Sequence, residues 1–270
     1  MNLRLVSTDI DGTLANDRGE LTPLTLSVLR QLLDRGVPVV LVTGLNPWPT
    51  RRYVEQIGHG VRAITLNGIF LLEDGTTHEG FFVDPAVARA AVAAIVARGY
   101  TPLVYGEDGV SRYLPVEGGM DEVAKLIVER SYQPYQAVDS VDALFAVRPA
   151  QVSVCDRDVR VAALQPFLET TFGDRAYVVY APGPRAWVEV NHPEARKDVA
   201  LLTLAARLGV APDEIVYFGD SLNDLVVFRV LRHCVAVDNA RPQVKEMAWR
   251  IAPANNDDGV ARMLAELFGL

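Results

Sequence analysis

The sequence predicts an α/β fold, a doubly wound parallel sheet interrupted by an inserted α+β module, and three observations carry that expectation. Apolar β-rich runs alternate with helical stretches at both ends of the chain, the pattern of a parallel sheet with helices on both faces. Between residues 83 and 187 the runs lengthen and alternate in polarity, as in a sheet covered on one face only. The chain has 270 residues, more than the usual size of a single core, about 100–150 residues. The expected division is a first core part over 1–82, the insert over 83–187 and a second core part over 188–270.

The elements follow in order. Residues 3–8 read as the first strand, and Thr22-Pro23 as an N-cap with proline at the first helical position, opening a helix to about residue 34 that Gly36 stops. Residues 37–42 are almost wholly apolar and suit a central strand ending at Thr43-Gly44. A third strand, 61–66, ends at Asn67-Gly68. In the insert, 110–116, 147–155 and 177–180 are strand candidates, and 85–98, 121–130 and 158–170 helix candidates. Asp84-Pro85 and Pro182-Gly183-Pro184 mark its edges. Doubly wound character then resumes with a helix over 196–208, a strand over 215–218, a Gly219-Asp220 turn and a strand over 234–237.

Composition narrows the function. With 34 acidic against 26 basic residues the net charge is −8, which excludes the basic surface that nucleic acid or an anionic membrane demands. The longest apolar stretch, around residues 88–97, is too short to span a bilayer. No apolar leader follows Met1, so a soluble cytoplasmic protein is expected. Cys155 and Cys234 lack CxxC spacing and fit buried reduced thiols, and the four histidines form no zinc-like cluster. Nothing in the pattern specifies an oligomeric state.

Four strands end in polar residues: Asp9/Asp11, Thr43-Gly44, Asn67-Gly68 and the run Gly219-Asp220-Ser221-Leu222-Asn223-Asp224. In an open parallel sheet such ends converge on one crevice. Strand alternation points Asp9 and Asp11 to one side, where two like charges call for a divalent cation or a shared proton. Asp220, delivered by its own apolar strand, adds a third carboxylate, and an oxygen-rich site suits magnesium. Asp224, in the first helical turn that follows, is placed to contact the ion or its waters. Lysines are rare, only Lys125, Lys197 and Lys245, and Lys197 near the start of its helix could balance phosphate as a compact charge. Each feature also has a plainer reading: an acidic turn for Asp9/Asp11, a helix-capping box for Asp220 to Asp224, a solvated lysine for Lys197.

Taken together, Asp9-Ile10-Asp11-Gly12-Thr13-Leu14, Thr43-Gly44, Lys197 and Gly219-Asp220-Ser221-Leu222-Asn223-Asp224 resemble the four motifs of the haloacid dehalogenase-like (HAD) hydrolases. More narrowly the chain resembles the Cof-type branch, with a large α+β cap of the C2B kind between the second and third motifs. Asn67-Gly68, Cys234-Val235-Ala236-Val237-Asp238-Asn239-Ala240 and Asp258-Gly259-Val260 are similar to that branch too. The resemblance implies a magnesium-dependent phosphomonoester hydrolase acting through an aspartyl phosphate, on a sugar phosphate or another small phosphorylated metabolite. It implies Asp9 as nucleophile and Asp11 as general acid and then base. Mg²⁺ would be held by Asp9, Asp220 and the main-chain carbonyl of Asp11, with Asp224 supporting its waters. Thr43, Gly44, Lys197 and Asn223 would bind the phosphoryl oxygens. The insert would act as a lid, with Tyr105, Glu107, Asp108, Arg112, Tyr113 and residues 185–191 as candidate contacts. Three positions depart from the pattern: Leu45 follows the Thr-Gly pair where arginine is common, and Asp198 and Asp238 stand where glycine is common. Two alternatives remain at this stage. One is a phosphomutase or glycosyl-phosphate phosphatase on the same core; the other is a non-catalytic regulator whose aspartate merely accepts a phosphoryl group.

Overall fold

In the computed structural model, which describes residues 2–121, 135–181 and 186–270, the chain divides into two compact units, residues 1–80 with 196–270, and residues 81–195. Nearly all of the expected helix over 121–130, and the Pro182-Gly183-Pro184 turn, lie outside the described residues.

The first unit is built on strands β1 (Leu5–Thr8), β2 (Val39–Val42), β3 (Arg62–Thr65), β4 (Phe70–Glu73) and β5 (Thr76–Glu79), joined after the insert by β12 (Ile215–Gly219), β13 (His233–Val237) and β14 (Arg250–Ala252). They form one sheet in the order β14-β13-β12-β1-β2-β3-β4-β5. The ladder is parallel from β14 through β3. In register, Val6 lies between Val39 on β2 and Val216 on β12. Every residue of β1, β2, β12 and β13 is buried, which explains why they are predominantly apolar: both faces are covered, so no position is left for a polar side chain facing water, and the polar Ser7, Thr8 and His233 are themselves buried. The sequence reading did not contain the antiparallel extension. Asp74 and Gly75, with φ of 49° and 76°, turn β4 directly into β5, the backbone that a two-residue hairpin needs.

Helices cover this sheet. Thr22 accepts a hydrogen bond from the Thr25 amide and starts α1 (Pro23–Asp34), which buries Val28, Leu29 and Leu32. Asn46 accepts one from the Trp48 amide and starts α2 (Pro47–Ile57), a helix the sequence reading passed over although Asn46-Pro47 carries the same cap-then-proline signal. The helices of the insert, α3 (Pro85–Val96), α4 (Val141–Leu144) and α5 (Asp158–Phe172), belong to the second unit. The second core part supplies α6 (Lys197–Arg207), α7 (Leu225–Phe228), α8 (Pro242–Met247) and α9 (Gly259–Phe268).

The second unit has strands β6 (Leu103–Gly106), β7 (Ser111–Tyr113), β8 (Tyr135–Ala137), β9 (Pro149–Asp156), β10 (Tyr177–Ala181) and β11 (Ala186–Asn191), in the order β10-β11-β9-β6-β7-β8. All pairs are antiparallel except β7 with β8. One face, carrying Val104, Val152, Val154, Val188 and Val190, packs on α3 through Val87, Ala91 and Ile95 and on α5 through Val161, Leu164 and Leu168. Each such side chain taken from water contributes about 1.5–3 kcal/mol. The alternate positions Gln151, Ser153, Glu189 and Asn191 are polar yet buried, and Gln151 Nε2 donates to Asn191 Oδ1 at 2.9 Å. β11 pairs with β9 and β10, so the chain stays with this unit to residue 195, beyond the expected boundary at 187.

Candidate active site

The site lies at the carboxyl ends of β1, β2, β3 and β12. The ladder between β1 and β12 runs one residue past the strand, the Asp9 amide donating to the Phe218 carbonyl at 2.9 Å. Residues Ile10–Leu14 then form a wide turn in which Gly12 has φ 73°. Glycine is required there twice over: a side chain would strain the backbone, and its Cβ would come 2.8 Å from Asp220 Oδ2. That contact shows how closely the turn and the Asp220 loop meet. Thr13 Oγ1 closes them with a bond to Asp220 Oδ1 at 2.7 Å.

The turn separates the two aspartates of its motif. Asp9 is buried and belongs to an acidic cluster; Asp11 is exposed, and its side chain is outside that cluster. Carboxyl oxygens of Asp9, Asp220 and Asp224 lie within 4.8 Å of one another, although Asp9 and Asp220 are far apart in sequence.

Lys197 reaches this cluster because α6 starts close to the turn after β3. A Cβ at Gly68 would lie 2.7 and 2.8 Å from the Arg196 carbonyl oxygen and nitrogen, so only glycine admits the helix start. The lysine is 1% exposed, and its Nζ donates to Asp9 Oδ1 at 2.9 Å and Asp224 Oδ1 at 2.7 Å. Asp224 is held from every side. Tyr217 donates its hydroxyl to Oδ1 at 2.6 Å, and the amides of Asp220 and Ser221 each donate to Oδ2 at 3.0 Å. The two amide bonds are those of a capping residue, so the plainer reading of the Asp220 loop and the acidic cluster hold together in one structure. Sequence reasoning missed Tyr217; its signal was only a polar atom in the middle of an apolar strand.

The charges oppose one another. Burial raises the pKa of Asp9 well above the usual carboxylate range, Lys197 opposes the shift, and Asp224 and Asp220 add to it. Burial and then Asp224 lift Asp220 to about 6, against the hydrogen bond from Thr13. Burial alone would lower the pKa of Lys197, but Asp224 and Asp9 outweigh it and raise it, so the lysine is a fixed cation. Asp11 is raised as well, because the protein packed around its carboxyl displaces part of its water although the residue is exposed at the surface, and the charges of Arg52 and Lys197 oppose the shift. One ammonium among three carboxylates leaves negative charge in a dry place. An all-oxygen donor set with that excess fits a hard divalent cation such as magnesium.

Thr43 and Gly44 follow β2 directly. Thr43 Oγ1 accepts from the Leu45 amide at 3.0 Å, and the Thr43 carbonyl accepts from the Asn67 amide at 3.0 Å. Asn67, at φ 56°, brings its side chain beside Gly44, and its Oδ1 accepts from Asn223 Nδ2 at 3.2 Å. Asn223 Oδ1 is buried and has no partner among the described residues. Gly44, Asn67 and Asn223 therefore meet from three separate segments.

The family follows from comparison with known proteins. The model of the haloacid dehalogenase-like hydrolases matches residues 6–264. The chain belongs to that family. It is 30% identical to a phosphoglycolate phosphatase of Halorubrum lacusprofundi, over 96% of this chain and 95% of that one. It is 22% identical to a 5-amino-6-(5-phospho-D-ribitylamino)uracil phosphatase of Bacillus subtilis, over 98% of each. A solved haloacid dehalogenase-like hydrolase from Bacteroides thetaiotaomicron superposes with a TM-score of 0.82 at 18% identity, covering 98% of this chain and 100% of that one. This HAD-family chain is a hydrolase of the phosphatase kind with an α/β core. No helix of the described residues is long and apolar enough to cross a membrane.

Proposed function

We propose that the protein is a magnesium-dependent phosphomonoester hydrolase that forms an aspartyl phosphate on Asp9. The observation that carries this reading is the meeting of buried Asp9, Lys197 and Asp224 with half-buried Asp220 at the ends of parallel strands. Mg²⁺, held by Asp9, Asp220 and the main-chain carbonyl of Asp11, would supply charge neutralisation for the phosphoryl group. A carboxylate oxygen of Asp9 attacks phosphorus as the ester bond to the leaving oxygen breaks, and Asp11 gives that oxygen its proton. Asp11, now ionised, takes a proton from water; the water oxygen attacks phosphorus, the bond to Asp9 breaks, and inorganic phosphate leaves. The raised pKa of Asp11 suits a group that must hold a proton in one step and lack it in the next.

Thr43, the Gly44 amide, Asn223 and Lys197 hold the phosphoryl oxygens, since phosphoryl transfer is mostly positioning and charge compensation. The unpartnered Asn223 Oδ1 supports a polar ligand there. Asp224, with both oxygens engaged, works from behind by fixing Lys197 and the Asp220 loop and adding its charge to the ion's surroundings. The substrate is a sugar phosphate or a similar small phosphorylated metabolite, in line with the names of the two relatives, and the site of action is the cytoplasm. The test is phosphate release from a panel of phosphomonoesters with magnesium, with chelator and with Asp9→Asn. The expected result is turnover that needs magnesium and falls at least about 10³-fold in the variant. Comparable turnover by Asp9→Asn would remove Asp9 from the nucleophilic role.

A further inference from the structure

The run Asp238-Asn239-Ala240 that follows β13 takes no part in the proposed chemistry, yet one of its side chains reaches the turn that carries the nucleophile. Asn239 Nδ2 donates to the Gly12 carbonyl at 2.7 Å, between Asp11 and Thr13. Its Oδ1 accepts from the Asn255 amide at 2.9 Å. Both partners are main-chain groups, one only an acceptor and the other only a donor, so the orientation of the asparagine amide is settled. A carboxylate in its place would lose the donor, and an alanine would lose both bonds.

The same segment also holds the Asp220 loop. Two residues beyond Asn239, the Arg241 amide donates to the Asp220 carbonyl at 2.9 Å. With Thr13 Oγ1 bonded to Asp220 Oδ1 at 2.7 Å, the contacts close a ring: from the turn to Asp220, from Asp220 to Arg241, and from Asn239 back to the turn at Gly12. Asn255 grips the far end of the turn, its Nδ2 donating to the Ala15 carbonyl and to Asp17 Oδ1, each at 3.0 Å. The ring has little room to adjust, since even a Cβ on Gly12 would lie 2.8 Å from Asp220 Oδ2. The carbonyl that Asn239 holds is one peptide away from that of Asp11, the main-chain oxygen assigned to the ion.

We propose that Asn239 is a positioning residue: by holding the Gly12 carbonyl it fixes the spacing between the Asp9 turn and the Asp220 loop, and so pre-forms the magnesium site. This inference rests on the phosphatase reading and adds a residue to it. Ligands that come from two loops bind an ion more tightly when the loops are already held in the bound arrangement. Asn239 is itself exposed, so its replacement leaves the core packing in place.

The test is calorimetric titration of magnesium, without substrate, into the parent, Asn239→Ala and Asn239→Asp, at a temperature where melting curves show all three folded. Loss of one net hydrogen bond should make Asn239→Ala bind the ion about two- to tenfold more weakly. With p-nitrophenyl phosphate at saturating magnesium, kcat should fall by a similar factor while KM for the ester stays unchanged. Asn239→Asp keeps the acceptor for the Asn255 amide but sets a second acceptor against the Gly12 carbonyl, so it should turn over no faster than Asn239→Ala. A residue that only fastened the segment around Asn255 would leave Asn239→Asp like its parent. Parent-like magnesium affinity in Asn239→Ala, or parent-like kcat in Asn239→Asp, would overturn the proposal and leave the phosphatase reading intact. A parent that binds magnesium yet hydrolyses none of a panel of phosphomonoesters would overturn that reading, and the titrations would still decide whether Asn239 shapes the ion site. A parent that binds no magnesium would overturn both.

Discussion

Replacing Lys197 with methionine keeps the bulk of the side chain and removes the only cation, among the described residues, within hydrogen-bonding distance of Asp9 and Asp224. Lys197 is 1% exposed and Asp224 0%, so water cannot take over the lost charge. Breaking a buried pair by removing one partner costs about 3–5 kcal/mol, because the remaining charge is left uncompensated. For a chain of this size each kcal/mol lowers the melting point by about 2–4 °C, so a fall of about 6–20 °C is expected for the core transition without added metal. The loss should shrink as pH falls, since Asp9, whose pKa is already raised, can then take up a proton. Adding Asp224→Asn to Lys197→Met should recover part of the stability, a coupling that a double-mutant cycle reads directly. The assay is thermal unfolding with chelator at neutral and mildly acidic pH. A Lys197→Met protein melting within about 2 °C of its parent at neutral pH would refute the claim that the lysine holds the acidic cluster together.

Two further outcomes are expected. Asp11→Asn should lower kcat by about 10²–10⁴-fold through loss of proton transfer, yet leave magnesium affinity largely intact because the inferred ligand is its main-chain oxygen; isothermal titration that finds the affinity lost would contradict the assignment. Asp220, lifted to about 6 by burial and Asp224, binds its proton more tightly folded than unfolded. Metal-free stability therefore declines as pH rises from the ordinary carboxylate range through about 6, and the ion relieves that cost. Magnesium should accordingly raise the melting point more near pH 8 than near pH 5 and release protons on binding near pH 6; equal shifts at both pH values would sink this account.

Much of the core could be read from sequence because burial on both faces leaves a plain trace. The runs before Thr43 and Asp220 are apolar without alternation, the one before Asp9 is apolar at Leu5-Val6 and then buries Ser7 and Thr8, and each is a central parallel strand that carries its polar residue to the same edge. The hairpin after Gly68 was harder to read: β4 and β5 are four residues each, and their Asp74-Gly75 turn was the only local cue. The details of the site were hidden for a different reason. Partnerships such as Tyr217 with Asp224, Asn67 with Asn223 and Thr13 with Asp220 depend on crossings between segments, which no local pattern encodes. In the insert the partnership is local: Arg112, a candidate contact, gives two hydrogen bonds to Asp108 four residues before it, at 3.1 and 2.6 Å.

The rings of Phe81 and His192 stack with centroids 5.1 Å apart and an interplanar angle of 11°. The module that spans 81–195 thus begins and ends at nearly one point in space. Its excision would leave the host scaffold a gap that a few residues can bridge, since closing a short loop costs little entropy. Modules of other sizes could be grafted at the same seam while the strands that carry Asp9, Thr43 and Asp220 keep their own sheet.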